Sequence, residues 1–433
     1  MTYTEATEYL FCQRPNFEKQ GKNGYKIGLD SMLALDEHLG HPHRGFRCIH
    51  VAGTNGKGSV SHTLAAVLQQ CGYEVGLYTS PHLVDFNERI RVNGKPVSHD
   101  YVVRFVEQHR HFFEPIGATF FEVTTAMAFQ YFRDMGVEIA VVEVGLGGRL
   151  DSTNIIQPIL SVITNISLDH TQLLGSTVEQ IAREKAGIMK EGAPCVIGEA
   201  QPSVRAVFDE VAGQMGTDII YAEDRAPLAL AEELPTGGMH YCTKKGAEFD
   251  GELSGSFQAR NANTILCALE QLRRMGWLGD DNDASERNIE EAFGHVSALT
   301  GLQGRWQTVK SRPRVVCDIG HNIGAWQYLS RQLACVECRE MKIVFGMMAD
   351  KDVGTVLTKL PRQARYYWTK GDTPRALSED KLQAYGQELG LEGDCYPTVE
   401  EAYQAAAAEA QPDDFIFVGG SNYIVAEFLK LSI

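Results

Sequence analysis

Lys57 and Ser59 close a small-residue run, HVAGTNGKGSV (His50–Val60), that could hold a phosphate chain. The common phosphate-binding loop reads G-x-x-x-x-G-K-[ST]. Here Val51 occupies the place of the first glycine, and Gly58 separates Lys57 from Ser59. The chemistry survives the altered spacing. Gly53, Thr54, Asn55, Gly56 and Gly58 are small or turn-forming, so successive backbone N–H groups can turn inward on an anion. A following helix adds the partial positive charge of its N-terminus. From that position Lys57 could reach the β- and γ-phosphates of a nucleotide, and the Ser59 hydroxyl could touch Mg²⁺. A tight strand-to-helix turn using glycine for positive φ is the plainer reading. Three glycines with a lysine and a serine at the helix start favour the nucleotide.

Three further stretches end short apolar runs with a polar group. VEVGLGGRLDSTN closes its run with Glu143 and continues through a loop to Arg149 and Asp151. ITNISLDHTQLLG carries Asp169-His170, and YTSPHL carries Ser80. A surface carboxylate or a structural histidine would explain any one of them alone. Together they set an anion cradle, a hydroxyl, a carboxylate and an imidazole at strand ends. In an open parallel sheet the carboxyl ends share one edge, and ligands bind there. Mg²⁺ beside phosphate takes such hard oxygen ligands.

Apolar periodicity defines the elements that must place these groups. FRCIHVA, EVGLYTS, VEIAVVEVG and ILSVITN read as short buried strands. GSVSHTLAAVLQQCG, VTTAMAFQYFRDMG and TVEQIAREKAGIMK read as the helices between them. The alternation predicts a P-loop ATPase-like α/β domain, a mostly parallel sheet with helices on both faces. LPTGGMHYCTKKGAEFDGELSG reads as a hairpin insertion or peripheral strands. After the polar stretch GDDNDASERN and the helix IEEAFGHVSAL, a second alternation begins, with RVVCDIG, KIVFGM, RYYWTK and DFIFVGG as strands. It predicts a smaller, Rossmann-like C-terminal α/β domain, dividing the chain into 1–297 and 298–433.

A chain of 433 residues is long for one core, in keeping with two domains. Its 44% hydrophobic and 22% charged content is that of a soluble globular protein. Lys and Arg number 40 against 56 Asp and Glu, a formal charge of -16. That argues against a broad nucleic-acid or membrane surface, though not against a local cationic pocket. No run approaches the ~18 apolar residues of a membrane helix. MTYTEATEYL lacks the apolar segment of a signal peptide, so a cytoplasmic location is expected. Ten cysteines are expected to be reduced and mostly buried. Cys335-Val-Glu-Cys338 falls on an expected helix, AWQYLSRQLACVEC, with no second pair to complete a zinc site.

HVAGTNGKGS, GLYTSPHLVDFNERIRVNG, FFEVTTAMAF, VEVGLGGRLDSTN and LDHTQLLGSTVEQIAREKAGIMK together resemble the folylpolyglutamate synthase/dihydrofolate synthase family, a branch of the ATP-dependent Mur ligases. The similarity runs from about Tyr25 to the C-terminal strand. G-T-N-G-K-G-S is the family's form of the loop, which accounts for the off-pattern spacing. The resemblance implies ATP on Gly53 through Ser59, with Asn261 of SFQARNAN at the base and Arg305 of LQGRWQ approaching the phosphates. It implies two Mg²⁺ ions, with Ser80 and Glu143 as ligands of one and His170 as a ligand of the second. Lys185 of REKAGI matches a lysine that the family carries as a carbamate made with CO₂. Asp318 and His321 of DIGHN match a segment of the C-terminal domain that closes over the site, the domain expected to bind the incoming amino acid. Glu122 and Thr124 of FFEVTT lie in the segment associated with the pterin-bearing substrate, and Arg149 and Asp151 lie in a neighbouring loop. Two positions depart from the family's pattern. Asp318-Ile-Gly-His-Asn-Ile323 stands for D-G-A-H-N-P, and Phe257 stands where a histidine often precedes the glutamine. Neither change removes a group with an obvious chemical role.

The implied reaction is amide formation, adding L-glutamate to dihydropteroate or to the last glutamate of a folate. The γ-phosphoryl of ATP passes to the acceptor carboxylate, the glutamate amine attacks the acyl phosphate, and ADP and phosphate leave. Lys57, Arg305 and two Mg²⁺ ions offset the charge. Closure of the C-terminal domain keeps water from the reactive acyl phosphate. A monomer without nucleic-acid or membrane partners is expected. A peptidoglycan-precursor ligase is the nearest alternative, but such enzymes usually carry a separate domain before the loop. Fewer residues precede His50 than the ~100 of a typical domain. A nucleotide-binding protein without turnover would lack catalytic positions, and those that can be matched are present. A simple kinase would leave EKAGI and the second α/β domain without a role.

Overall fold

The computed structural model describes residues 1–16, 24, 26, 28–234, 237–279 and 283–431. Tyr25, residues 235–236 of the hairpin stretch and residues 280–282 of the polar stretch lie outside the described residues. The large sheet contains β1 (Arg47–Ala52), β2 (Val75–Tyr78), β3 (Ile90–Val92), β4 (Lys95–Pro96), β5 (Ile139–Glu143), β6 (Leu160–Ile163), β7 (Cys195–Ile197) and β8 (Ile219–Tyr221). Their order is β4-β3-β2-β5-β1-β6-β7-β8. From β2 to β8 all neighbours are parallel, and β3 with β4 adds an antiparallel edge. Successive strand residues point to opposite faces, and in β1 both sets are buried: Cys48 is 2% exposed, Ile49 and Val51 are 0%. A strand covered on both faces reads as a nearly continuous apolar run, FRCIHVA, and its one buried polar side chain, His50, is paired through Nε2 with Thr153 Oγ1 at 2.8 Å. On one face Cys48, Ala140 and Val142 join a core with Val123, Met127, Phe129 and Phe132 of the helix Phe120–Asp134.

β9 (Leu228–Glu233), β10 (Met239–Thr243) and β11 (Glu248–Gly251) form a small separate sheet in the order β11-β10-β9, at the place of the expected hairpin. The third sheet is made of β12 (Gln307–Ser311), β13 (Arg314–Asp318), β14 (Met341–Phe345), β15 (Arg365–Trp368), β16 (Gly393–Cys395) and β17 (Phe415–Gly419). Its order is β12-β13-β17-β14-β15-β16, parallel except for the β12–β13 pair. Its core includes Trp326, Phe345, Trp368 and Phe417, all within 0% exposure.

The chain separates into two compact units. One is Met1–Glu232, His240–Glu252 and Gln258–Leu302; the other is Glu233–Met239, Leu253–Phe257 and Gln303–Ile433. The second therefore starts its main segment slightly beyond residue 298, and it also takes two short pieces flanking the hairpin. The helix Ile323–Ala334 stops before Cys335, which is its C-cap. The Cys335–Cys338 pair is thus off the helix on which the sequence placed it. No disulfide joins the described cysteines. Among the described residues, no helix is long and apolar enough to cross a membrane.

Candidate active site

β1 ends at Ala52, and the chain turns through Gly53 (φ 148) and Gly56 (φ 83) into the helix Lys57–Gln70. A Cβ at Gly53 would lie 1.9 Å from Thr164 Oγ1, and one at Gly56 would lie 2.5 Å from Asn261 Oδ1. Positive φ and close approach both demand glycine at these two positions. Gly56 is the N-cap, and no side chain caps the helix. The first-turn N–H groups of a helix have no intrahelical partners, so an uncapped glycine start presents them to an anion.

The loop is held from the carboxyl end of β6. Thr54 N–H donates to Asn165 O at 2.9 Å, and Asn55 N–H donates to Asn165 Oδ1 at 3.0 Å. Thr164 Oγ1 donates to Asn55 O at 2.5 Å, and Thr54 Oγ1 donates to Ser167 O at 3.2 Å. Thr164, Asn165 and Ser167 were not among the residues that the sequence singled out. Their signal is the polar run that immediately follows the apolar part of ILSVITN. Gln258 also joins the site from the helix Gln258–Arg274. Its Nε2 donates to Ser59 Oγ at 3.4 Å, and its Oε1 accepts from Asn261 Nδ2 at 2.8 Å.

The other expected groups gather at the same edge. Glu143 ends β5 opposite Val51 and is 4% exposed. Ser80 lies just beyond β2, and Asp169-His170 follows β6. Asp169 Oδ1 accepts the His170 N–H at 2.8 Å, while His170 sits at φ 49 ahead of the short helix Thr171–Leu174.

Lys185 lies in the helix Val178–Ala186 and is 5% exposed. Its Nζ donates to Gly53 O at 2.9 Å, the same oxygen that accepts from Lys57 Nζ at 3.1 Å. Burial and then the charge of Lys57 pull the Lys185 amine down to about 7, against the opposing pull of Asp169 and Asp151. The loop motif GLGGRLD reaches this lysine by backbone contact. A Cβ at Gly148 would stand 2.7 Å from Glu184 O, and one at Gly187 would stand 2.5 Å from Arg149 Cα. GLGGRLD and EKAGI are therefore two sides of one contact. Gly187→Ala is expected to lower stability by ~1–3 kcal/mol through overpacking, measured as a drop in the urea midpoint, and to reduce turnover because Lys185 shifts with its helix.

Four residues that the resemblance associates with the substrate have these partners. Glu122 is in a capping box: its Oε2 accepts the Thr119 N–H at 2.7 Å, and Thr119 Oγ1 accepts the Glu122 N–H at 3.2 Å. Thr124 Oγ1 donates to Phe120 O at 2.7 Å, and the residue is 0% exposed. Asp151 accepts from the N–H groups of Leu146 at 2.9 Å and Thr153 at 3.0 Å, and burial pushes its carboxyl up. Arg149 is half exposed, with Nη2 donating to Glu184 Oε1 at 2.8 Å. Glu122→Ala is expected to cost ~1 kcal/mol as a lost cap, whereas Glu122→Gln retains the acceptor and the stability. Chemical denaturation of the two variants checks this.

The second unit groups Arg305, Asp318 and His321. Asp318 ends β13 beside Gly419 of β17 and is 5% exposed. Its oxygens accept the N–H of Trp306 at 2.8 Å and of Gly320 at 2.7 Å. Burial pushes the carboxyl up, and nearby Arg305, those two N–H groups and His321 oppose it. His321 Nδ1–H donates to Ile319 O at 3.0 Å, which leaves Nε2 with the lone pair in the neutral ring.

An uncapped helix start with a lysine folded over it fits a phosphate chain, and the neighbouring Ser59, Ser80 and Glu143 offer the oxygen ligands that Mg²⁺ prefers. The Mur ligase middle domain matches residues 51–269, and the Mur ligase glutamate ligase domain matches 304–422. The chain is 36% identical to the dihydrofolate synthase/folylpolyglutamate synthase of Bacillus subtilis over 94% of its own length and 96% of that protein's. It is 34% identical to a probable bifunctional folylpolyglutamate synthase/dihydropteroate synthase of Haloferax volcanii, covering 99% of this chain but only 50%, about half, of that relative. A crystal structure of a bifunctional folylpolyglutamate synthase/dihydrofolate synthase with Mn, AMPPNP and L-glutamate bound superposes with a TM-score of 0.81 at 29% identity, covering 99% of this chain and 97% of the other. The fold, both matched ligase domains and this full-length similarity make the chain a member of the folylpolyglutamate synthase/dihydrofolate synthase family of Mur ligases.

Proposed function

We propose that the chain is an ATP-dependent ligase that adds L-glutamate both to dihydropteroate and to the terminal glutamate of folates. The observation that carries this reading is the uncapped helix start at Gly56, with Lys57 and Lys185 both directed at the Gly53 carbonyl. The loop N–H groups and Lys57 hold the phosphates, while Asn261, touching Gly56, lies toward the base. Arg305 supplies a further cation for phosphoryl transfer. Asp318 fixes the turn that carries His321, Asp318 serving the nucleotide and His321 the catalytic step, and the domain that holds them receives the incoming glutamate. Glu122, Thr124, Arg149 and Asp151 shape the acceptor side, the first two through the helix that they stabilise. Two Mg²⁺ ions, on Ser59, Ser80 and Glu143 and on His170 with a modified Lys185, would neutralise the phosphoryl oxygens.

The modification is a carbamate. The lone pair of the neutral Lys185 amine attacks the carbon of CO₂: an N–C bond forms, one C=O π pair moves onto its oxygen, and one amine proton passes to solvent. A neutral amine that shares the Gly53 carbonyl with the Lys57 ammonium then becomes an anion beside that cation. We also propose that the protein is a cytoplasmic monomer; sedimentation of the purified chain would test the monomer and cell fractionation the compartment.

The reaction is tested by ADP release with ATP, Mg²⁺ and glutamate, using dihydropteroate in one assay and tetrahydrofolate in another, with products weighed by mass spectrometry. Glutamate-dependent turnover with both acceptors is expected. Activity with the folate alone would reduce the function to polyglutamate extension. Silence with both, while ATP still binds, would point to another amide ligase of the Mur class.

A further inference from the structure

We propose that the outer face of the β10–β11 hairpin binds a divalent cation of the zinc class, through Cys242 Sγ, His240 Nε2 and a Glu248 carboxylate oxygen, with Asp250 supporting His240.

Strand alternation creates this face. Met239, Tyr241 and Phe249 turn inward and are 2%, 2% and 7% exposed. Their neighbours His240, Cys242, Glu248 and Asp250 consequently share the opposite face. One ligand atom from each of His240, Cys242 and Glu248 lies within 4.8 Å of the others. A plain solvated hairpin face needs no such combination of sulfur, imidazole and carboxylate. These are the three donor types that zinc takes.

The spacing of the sulfur and the imidazole suits a shared cation. Cys242 Sγ and His240 Nε2 are 3.5 Å apart. Zinc bonds of ~2.3 Å to sulfur and ~2.0 Å to nitrogen, opened to a tetrahedral angle, span about 3.5 Å. The imidazole is also oriented for the task. His240 Nδ1–H donates to Asp250 Oδ1 at 2.7 Å. A carboxylate only accepts, so in the neutral ring the proton is on Nδ1 and the Nε2 lone pair faces the thiol. A carboxylate behind a histidine, fixing its tautomer and direction, is the usual outer support of a metal ligand. Binding would exchange the thiol proton for the cation, and that proton would leave to solvent. The exposed Glu248 side leaves room for water as a fourth ligand. Such a clip would join β10 to β11.

The test uses the full chain, stripped with a chelator and kept reduced in saturating Mg²⁺, which occupies the oxygen-rich sites. Co²⁺ is then titrated while the near-ultraviolet thiolate-to-cobalt charge-transfer band is followed. A saturable band with one Co²⁺ per chain is expected, displaced by Zn²⁺ and lost in both Cys242→Ser and His240→Ala. Asp250→Asn is expected to weaken Zn²⁺ competition ~10–100-fold. All three substitutions are on the outward face, so metal-free unfolding midpoints should match the parent. No band in the parent, or a band of undiminished strength in Cys242→Ser or His240→Ala, would overturn the site.

Discussion

Lys57→Ala is expected to lower kcat/KM for glutamate ligation by ~10³-fold, the upper end for loss of one preorganised charge donor at a transition state. The effect should be on chemistry more than on folding. Lys57 Nζ has backbone oxygens as its partners, Gly53 O at 3.1 Å and Thr54 O at 3.2 Å. Gly53 O keeps the Lys185 donor when Lys57 is removed. The loop itself is pinned by Asn165 and Thr164, so the unfolding free energy should change by no more than ~1 kcal/mol. With ATP varied at saturating glutamate and folate, kcat should carry most of the loss, because phosphoryl transfer concentrates charge that the ground state spreads out. Lys57→Arg should recover only part, since a planar fork cannot sit where a compact ammonium reaches two adjacent carbonyls. A Lys57→Ala enzyme within tenfold of the parent would show that the run His50–Val60 is merely a turn.

Much of this site is local in sequence and was therefore legible. A loop of glycines before a helix, with Lys57 and Ser59 at its start, carries its own chemistry whatever surrounds it. The strand ends were legible too, since β1, β5 and β6 are buried on both faces and read as nearly continuous apolar runs closed by polar residues. What escaped depends on partners distant along the chain. Asn165, which grips Asn55, stands 110 residues away, and no spacing rule connects them. The edge strands β3 and β4 are too short for any period to emerge.

Cys335 shows a different limit. The apolar period of Ile323–Ala334 continues into the cysteine pair, but the helix ends at Ala334 and the period cannot say so. Thr119 and Glu122 show a third. T-x-x-E is the sequence signature of a capping box, yet the resemblance draws attention to Glu122 as a substrate-side group. Which way a carboxylate points is decided by its rotamer, and only coordinates report that. The pairing of GLGGRLD with EKAGI belongs with these. Each motif is conspicuous alone, but their contact through Gly148 and Gly187 is a fact of tertiary packing.

Lys185→Ala is expected to reduce kcat by ~10²–10³-fold, with part of the loss restored by acetate or propionate. The reason lies in the environment of the unmodified amine. It is buried, shares an oxygen with the Lys57 ammonium, and is drawn down to about 7 by burial and by that neighbour. The amine is therefore neutral above about pH 7 and protonated below it, and only the neutral form can attack CO₂. Parent enzyme freed of CO₂ should lose activity and regain it with bicarbonate, faster at pH 8 than at pH 6. The Ala variant should ignore bicarbonate and answer only to short acids, which place a carboxylate in the vacated space. That split separates a carbamate from a cation. A lysine acting as an ammonium would be rescued by short amines instead, and it would make the parent indifferent to CO₂. Full activity in Lys185→Ala without any additive would leave Lys185 a buried helix residue and remove the carbamate from the mechanism.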